Sequence, residues 1–334
     1  MSVEIKTTAV APVRATFGSV ARRFGTDKAV SRYQEASFDL QALDNFHYRP
    51  VWDPEREIYD RRRTALQMRD WEVFRDPRQF YYATYCIQRA RMQEATEKSF
   101  EFVEKNRLMD LLAEPVRARA LALLPLRHQE WAANQHNCFI TAYGFGSSIT
   151  QGAIYATTDR LGMAQYLSRI GLLLDGNTGS ALEAAKSAWL NDPAWQGLRQ
   201  IAEDLLVCKD WFELFVAQNL VIDGLLHPLA FARPAGFAEP GVATLAMLTE
   251  FMEDWFPENR KWVDACIQAA AAESAQNRAR LSTWARHWQG RVLPALTPLA
   301  ARLRGTTDAE GAATLSTLAQ AWASRATQLG LTLA

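Results

Sequence analysis

Histidine and cysteine are scarce in this chain of 334 residues, with five of the first and four of the second. The cysteines, Cys86, Cys138, Cys208 and Cys266, lie far apart and form no C-x-x-C pair. That spacing argues against a zinc module or a disulfide framework and predicts free, mostly buried thiols in a reducing, cytoplasmic setting. Net charge is missing as well: 37 basic residues balance 37 acidic ones. No bulk field draws the chain to nucleic acid or to an anionic membrane, and a neutral surface favours association with other proteins. The one short basic run, Arg61-Arg62-Arg63, reads as a solvated helix start or a contact for an acidic partner. Met1 to Val13 shows no basic segment followed by a long apolar one, so no secretory signal is expected there. No uninterrupted apolar stretch approaches the roughly 18 residues of a membrane span.

Nucleotide and nucleophile motifs are also wanting. There is no G-x-x-x-x-G-K-[ST] loop and no G-x-S-x-G elbow. Gly144-Phe145-Gly146-Ser147-Ser148 lacks the dinucleotide spacing and follows a helix, not a strand. No catalytic, metal-binding or cofactor-binding residue is therefore assigned in this chain.

Strand signals are nearly absent, and helical ones fill the chain from Tyr59 onward. Asp76-Pro77 reads as a cap with a first-turn proline, followed by an uninterrupted run from Arg78 to Asn106. A second long helix spans Pro125 to Tyr143, with Gly144 and Gly146 as a possible costly continuation. Thr157-Thr158-Asp159 reads as the cap of a third, ending near Asp175-Gly176-Asn177. Further starts fall at Ser180 and at Asn191-Asp192-Pro193. Ala194 to Leu226 is apolar-periodic, and His227-Pro228 reads as its interruption. Val242 to Arg304 reads helical with a break at Phe256-Pro257, and Asp308 to Leu329 closes the chain. The fold class is all-α. Residues 59–334 are expected to form one helical domain, and residues 1–58, aperiodic and rich in turn residues, an extended N-terminal arm. The 11 tryptophans and 16 phenylalanines suit either a large aromatic core or a buried interface.

Long helices raise the question of a carboxylate-bridged di-iron site. Such a site takes one Glu from each of two helices and a Glu-x-x-His pair from each of two more. The histidines answer it. Three residues before His47, His128, His136, His227 and His287 stand Asp44, Pro125, Ala133, Gly224 and Trp284. No Glu-x-x-His exists, and the one Asp-x-x-His lies in the arm. The helix faces carry other polar residues. Glu130, Asn134, Asn137 and Thr141 fall at i, i+4, i+7 and i+11, while Arg89, Gln93 and Thr96 share a face of the earlier helix. If these faces meet, Arg89, Gln93, Glu130, Asn134 and Asn137 form a satisfied polar core in the volume of a metal pair. Otherwise they face solvent or a partner.

Four segments resemble a known family. They are Arg32-Tyr33-Gln34-Glu35-Ala36-Ser37-Phe38-Asp39, Asn45-Phe46-His47-Tyr48-Arg49-Pro50-Val51-Trp52-Asp53-Pro54, Asp76-Pro77-Arg78-Gln79-Phe80-Tyr81-Tyr82 and Leu126-Arg127-His128-Gln129-Glu130-Trp131. They are similar to the β-subunits of bacterial multicomponent monooxygenase hydroxylases, phenol hydroxylases above all. The resemblance implies a ferritin-like bundle of long helices that has lost its metal. It implies an α-subunit holding the di-iron centre, a γ-subunit, and an (αβγ)2 assembly. A regulatory effector protein and a reductase complete the implied system, which hydroxylates phenol or related aromatics with O₂ and NADH-derived electrons. On that reading this chain is a non-catalytic structural subunit, with Phe46, His47, Tyr48 and Trp52 of the arm clamping a partner over an interface above roughly 2,000 Å². Alternative readings are a free-standing ferritin-like oxidase with atypical metal ligands, a β-subunit of a toluene- or alkene-type monooxygenase, and a helical scaffold outside this family.

Overall fold

The computed structural model describes residues 16–26, 28–43, 47–233 and 240–333. Among the described residues there is no strand. The order is α1 (Gly18–Phe24), α2 (Arg32–Ser37), α3 (Tyr82–Lys105), α4 (Glu114–Leu123), α5 (Leu126–Tyr143), α6 (Ser147–Leu174), α7 (Ser180–Asn191) and α8 (Pro193–Leu206). Then come α9 (Trp211–Phe215), a π-helical stretch (Val216–Ile222), α10 (Asp223–Phe231), α11 (Pro240–Glu273), α12 (Ala275–Leu296), α13 (Ala300–Arg304) and α14 (Asp308–Gln328).

The core is a ferritin-like bundle. The α5–α6 hairpin packs against the rod formed by α9, the π-helical stretch and α10, and against α11. Outside this core, α3 lies along α11, while α8 and α12 lie beside each other, α8 against α5 and α12 against the π-helical stretch. The rod, Trp211–Phe231, is apolar and long enough to cross a membrane, but 89% of its most apolar window is buried inside the protein, as the central helix of a bundle requires. Trp211, Phe212 and Phe215 from the rod meet Trp255 and Trp262 from α11 in this core, all five fully buried. Each such side chain contributes about 1.5–3 kcal/mol of burial.

Five features differ from the sequence reading, and each has a local cause. Asp76-Pro77 starts no helix; α3 begins at Tyr82, and the buried Asp76 forms a bidentate pair with Arg78. Gly144 ends α5, and α6 starts anew after Gly146 at φ +101°, where a Cβ would lie 2.6 Å from the Trp71 carbonyl oxygen. Glu72 caps that start, accepting from the Ser147 amide at 3.0 Å and from its hydroxyl at 2.7 Å. Thr157-Thr158-Asp159 is not a cap but mid-helix; Thr158 turns its hydroxyl back to the Ile154 carbonyl at 2.8 Å. His227-Pro228 likewise interrupts nothing. The rod widens to π geometry before the proline, and Trp322 donates its indole N–H to the Leu220 carbonyl at 2.9 Å. The break expected at Pro257 falls instead at Ser274, whose side chain caps α12. Cys266 is buried, but Cys86 is exposed, against the expectation of mostly buried thiols.

The described part of the arm lies on its own chain and contains α1 and α2. Val20, Tyr33 and Phe38 form a small apolar cluster. The Asp76 amide donates to the Tyr33 hydroxyl at 2.7 Å, and Gln151 of α6 bonds both the Ser37 hydroxyl and the Ala36 carbonyl.

Candidate functional site

Two charged clusters meet on α6, supplied by the consecutive residues Asp159 and Arg160. A step of one residue turns a helix side chain by about 100°, so neighbours face different elements.

Arg160 points into the bundle. Its Nη1 donates to Glu130 Oε2 of α5 at 2.8 Å and lies 2.9 Å from His227 Nε2 of α10. Its Nη2 donates to Asp223 Oδ2, and His227 Nε2 is 3.2 Å from Glu130 Oε1. All four side chains are sealed, at 2% exposure or less. Asp223 and His227 stand one helical turn apart, so both reach the same guanidinium. Burial opposes the charge on Glu130, but the Arg160 guanidinium beside it overcomes that and holds the carboxyl down at about 2. Burial, with the Glu130 charge nearby, pushes Asp223 upward against the pull of Arg160. Beyond Asp223, Gln218 of the π-helical stretch places Nε2 2.8 Å from Asp223 Oδ1, and its other end reaches His136 Nδ1 at 2.8 Å. The cluster thus draws on α5, α6 and the rod, with Trp255 of α11 as its wall: Arg160 sits 4.4 Å from that ring's centroid.

Asp159 points the other way. It accepts from Arg89 Nε at 2.7 Å, from Arg89 Nη2 at 2.9 Å and from the Tyr85 hydroxyl at 2.8 Å. The Trp255 indole donates to it at 2.7 Å, so one tryptophan separates the two clusters. Arg89 also reaches Glu258 of α11 at 2.6 Å.

The five residues expected to form one polar core are therefore distributed. Arg89 and Glu130 sit in different clusters. Asn134 donates to the Thr157 carbonyl at 2.8 Å, and Asn137 accepts from Asn219 at 3.1 Å, both buried beside Glu130's helix face. Gln93 is exposed and takes no part: α3 lies against α11, not against α5, and turns this side chain to solvent. Of the arm residues, Phe46 lies outside the described residues. His47, Tyr48 and Trp52 are all exposed, and Trp52 packs edge-on to Tyr143 at 5.1 Å, beneath Lys209 at 4.6 Å. Arg160, Asp223, His227, Asp159 and Glu258 escaped the sequence reading. Their signal was charge inside apolar helix: Asp223 and His227 are an i, i+4 pair in the most apolar segment of the chain.

Among the described residues, no group of three or more His, Cys, Asp or Glu is spaced to hold a metal ion. Glu130, Asp223 and His227 converge on a fixed cation, which neutralises carboxylate charge without an ion. The fold and this centre define a ferritin-like helical protein whose central acidic groups are paired with its own arginine.

A family profile described as methane/phenol/alkene hydroxylase matches residues 52–274. The chain is 51% identical over 333 residues to phenol 2-monooxygenase, oxygenase component DmpL, from Pseudomonas sp. (strain CF600), covering 99% of this chain and 98% of that protein. It is 24% identical over 236 residues to the hydroxylase component subunit beta of the toluene-4-monooxygenase system from Ectopseudomonas mendocina, covering 69% and 71%. The xenon-pressurised phenol hydroxylase structure from Pseudomonas sp. OX1 matches with a TM-score of 0.89 at 45% identity, over 98% of this chain and 99% of that one. The chain belongs to the methane/phenol/alkene hydroxylase family.

Proposed function

We propose that this chain is the β-subunit of the oxygenase component of a phenol- or arene-type monooxygenase, a structural subunit without a reaction centre of its own. The observation that carries this reading is Arg160. A di-iron site needs six donor groups on four helices. Here two carboxylates and one imidazole surround a guanidinium, which keeps its charge at every accessible pH and donates only. A metal ion at this place would have to displace that cation and would still lack half its ligands. The residues present do not fit a di-iron centre, so the iron belongs to a larger α-subunit.

What this chain then supplies is rigidity. Sealed ion pairs between α5, α6 and the rod fix helix register, and a rigid companion helps a partner hold ligands in place. The surface supports an assembled state. From Trp131 to Thr158 there is no Asp, Glu, Lys or Arg. The exposed stripe of α6 is Ile154, Thr158, Leu161 and Gln165, without charge, and Trp131 of α5 is 54% exposed. Solvent-facing helices normally carry charge on that side. The relatives are components of multi-protein systems by name, which supports a chain that works with other subunits; the assembly proposed for it is an (αβγ)2 hydroxylase in the cytoplasm, served by an effector protein and a reductase.

Co-expression with a larger chain bearing two Glu-x-x-His pairs tests the assignment. Light scattering after gel filtration should find the two in one stable complex, and removal of residues 1–55 should weaken it. A chain that stays alone and oxidises an aromatic unaided would overturn the reading.

A further inference from the structure

The sealed centre holds two carboxylates, Glu130 and Asp223, and one permanent cation, Arg160, each about 1% exposed. With both acids ionised and both nearby histidines neutral, it would carry a net negative charge away from solvent. A buried, uncompensated charge is strongly unfavourable. One additional proton makes the centre neutral.

The hydrogen bonds show where that proton can reside. His136 Nε2 lies 3.0 Å from the Ala202 carbonyl oxygen, which only accepts, so Nε2 carries a hydrogen. His136 Nδ1 faces one end of the Gln218 amide, and Asp223 Oδ1 faces the other, each at 2.8 Å. If the amide oxygen faces His136, the ring must be protonated on both nitrogens. If the amide nitrogen faces His136, the amide oxygen meets Asp223, and that contact needs a proton on the acid. The two arrangements differ by a half-turn of one amide and contain the same extra proton.

The second arrangement is the Gln218 amide turned over from the orientation given above, with both 2.8 Å contacts kept, and it fits the surroundings better. Burial pushes the His136 imidazole down to about 4 and pushes the Asp223 carboxyl up. A neutral Asp223 can donate through Oδ1 while its Oδ2 accepts from Arg160. Other charged groups do not change the balance. Glu130 and His136 come from α5, Arg160 from α6 and His227 from α10 itself, while Arg325 of α14 is paired with Asp264 of α11. The buried residues of α8 and α12 are all uncharged. A pocket of about 300 Å³ between α5, α8 and α9 has His136 in its lining, with Phe139, Leu205 and Leu214.

We propose that the core binds a structural proton on Asp223, with Gln218 and His136 linking it to that surface pocket. The bundle so replaces a central metal charge by one arginine and one proton.

Infrared spectroscopy of the full-length chain at neutral pH, with ¹³C in its aspartate side-chain carboxyls, tests this. The expected spectrum contains a protonated-carboxyl C=O band that shifts with the label and is lost in Asp223→Asn. The competing carboxyl is Asp254, exposed on α11 and also raised by partial burial. Asp254→Asn should leave the band in place. Absence of a label-sensitive protonated-carboxyl band in the wild-type chain overturns the proposal, whether or not Asp223→Asn folds. So does loss of the band in Asp254→Asn or its survival in Asp223→Asn.

Discussion

Trp255 stands between two charged clusters that use the same chemistry under different conditions. On one side Arg160 is sealed with Glu130, Asp223 and His227. On the other, Arg89 pairs with Asp159 and Glu258, its side chain 11% exposed and that of Glu258 18%. Arg160 has no water to fall back on, so its charges must balance within the protein. Arg89 lies at the bundle's margin, where solvent relieves an imbalance. The open cluster also contains spare donors, since Tyr85 and Trp255 hold Asp159 independently of Arg89. The difference teaches that an ion pair's importance to a fold depends less on its length than on what remains when one partner leaves.

Breaking each cluster in turn tests that contrast. Arg160→Met leaves the buried Glu130 carboxylate without its cation and should cost about 3–5 kcal/mol in urea unfolding, enough to threaten folding altogether. Arg89→Met should cost about 1–3 kcal/mol, because Asp159 keeps two donors and Glu258 regains water. Equal losses would end the distinction. The smallest effect concerns acid. Glu130 is held at about 2 in the folded chain, below the ordinary value near 4.3, so its stabilising share is complete above that value and fades as pH falls through 2. Glu130→Gln should therefore take up about one proton fewer on unfolding between pH ~5 and ~2. Proton uptake identical to wild type would place Glu130's charge outside the network.

Much of the architecture was legible in the sequence. The 3.6-residue periodicity announced an all-helical fold, and the missing Glu-x-x-His pairs announced an unusual centre. The spacing of Glu130, Asn134 and Asn137 puts them on one helix face and leaves burial or exposure open; in the structure all three are buried. Their partners were hidden by signals that act only locally. Thr157-Thr158-Asp159 looks like a cap, and it hid Asp159 and Arg160 within a helix of 28 residues. His227-Pro228 looks like a break, and it hid the partnership of His227 with Glu130. In both places tertiary packing prevails over a local preference of about 1–3 kcal/mol: α6 buries most of one face, and the rod relieves its proline by widening upstream. Gln93 shows the opposite failure. Periodicity places a residue on a face, but it does not say which element that face will meet.

In the proposed reading, the sealed Arg160 stands among the acidic groups at the centre of this bundle and leaves no room there for a metal pair. Iron content measures it most directly. The full-length chain, separated from its partners, incubated anaerobically with ferrous iron and passed through a desalting column, should retain no stoichiometric metal. Retention of two irons per chain, lost on Glu130→Gln or Asp223→Asn, would contradict the account.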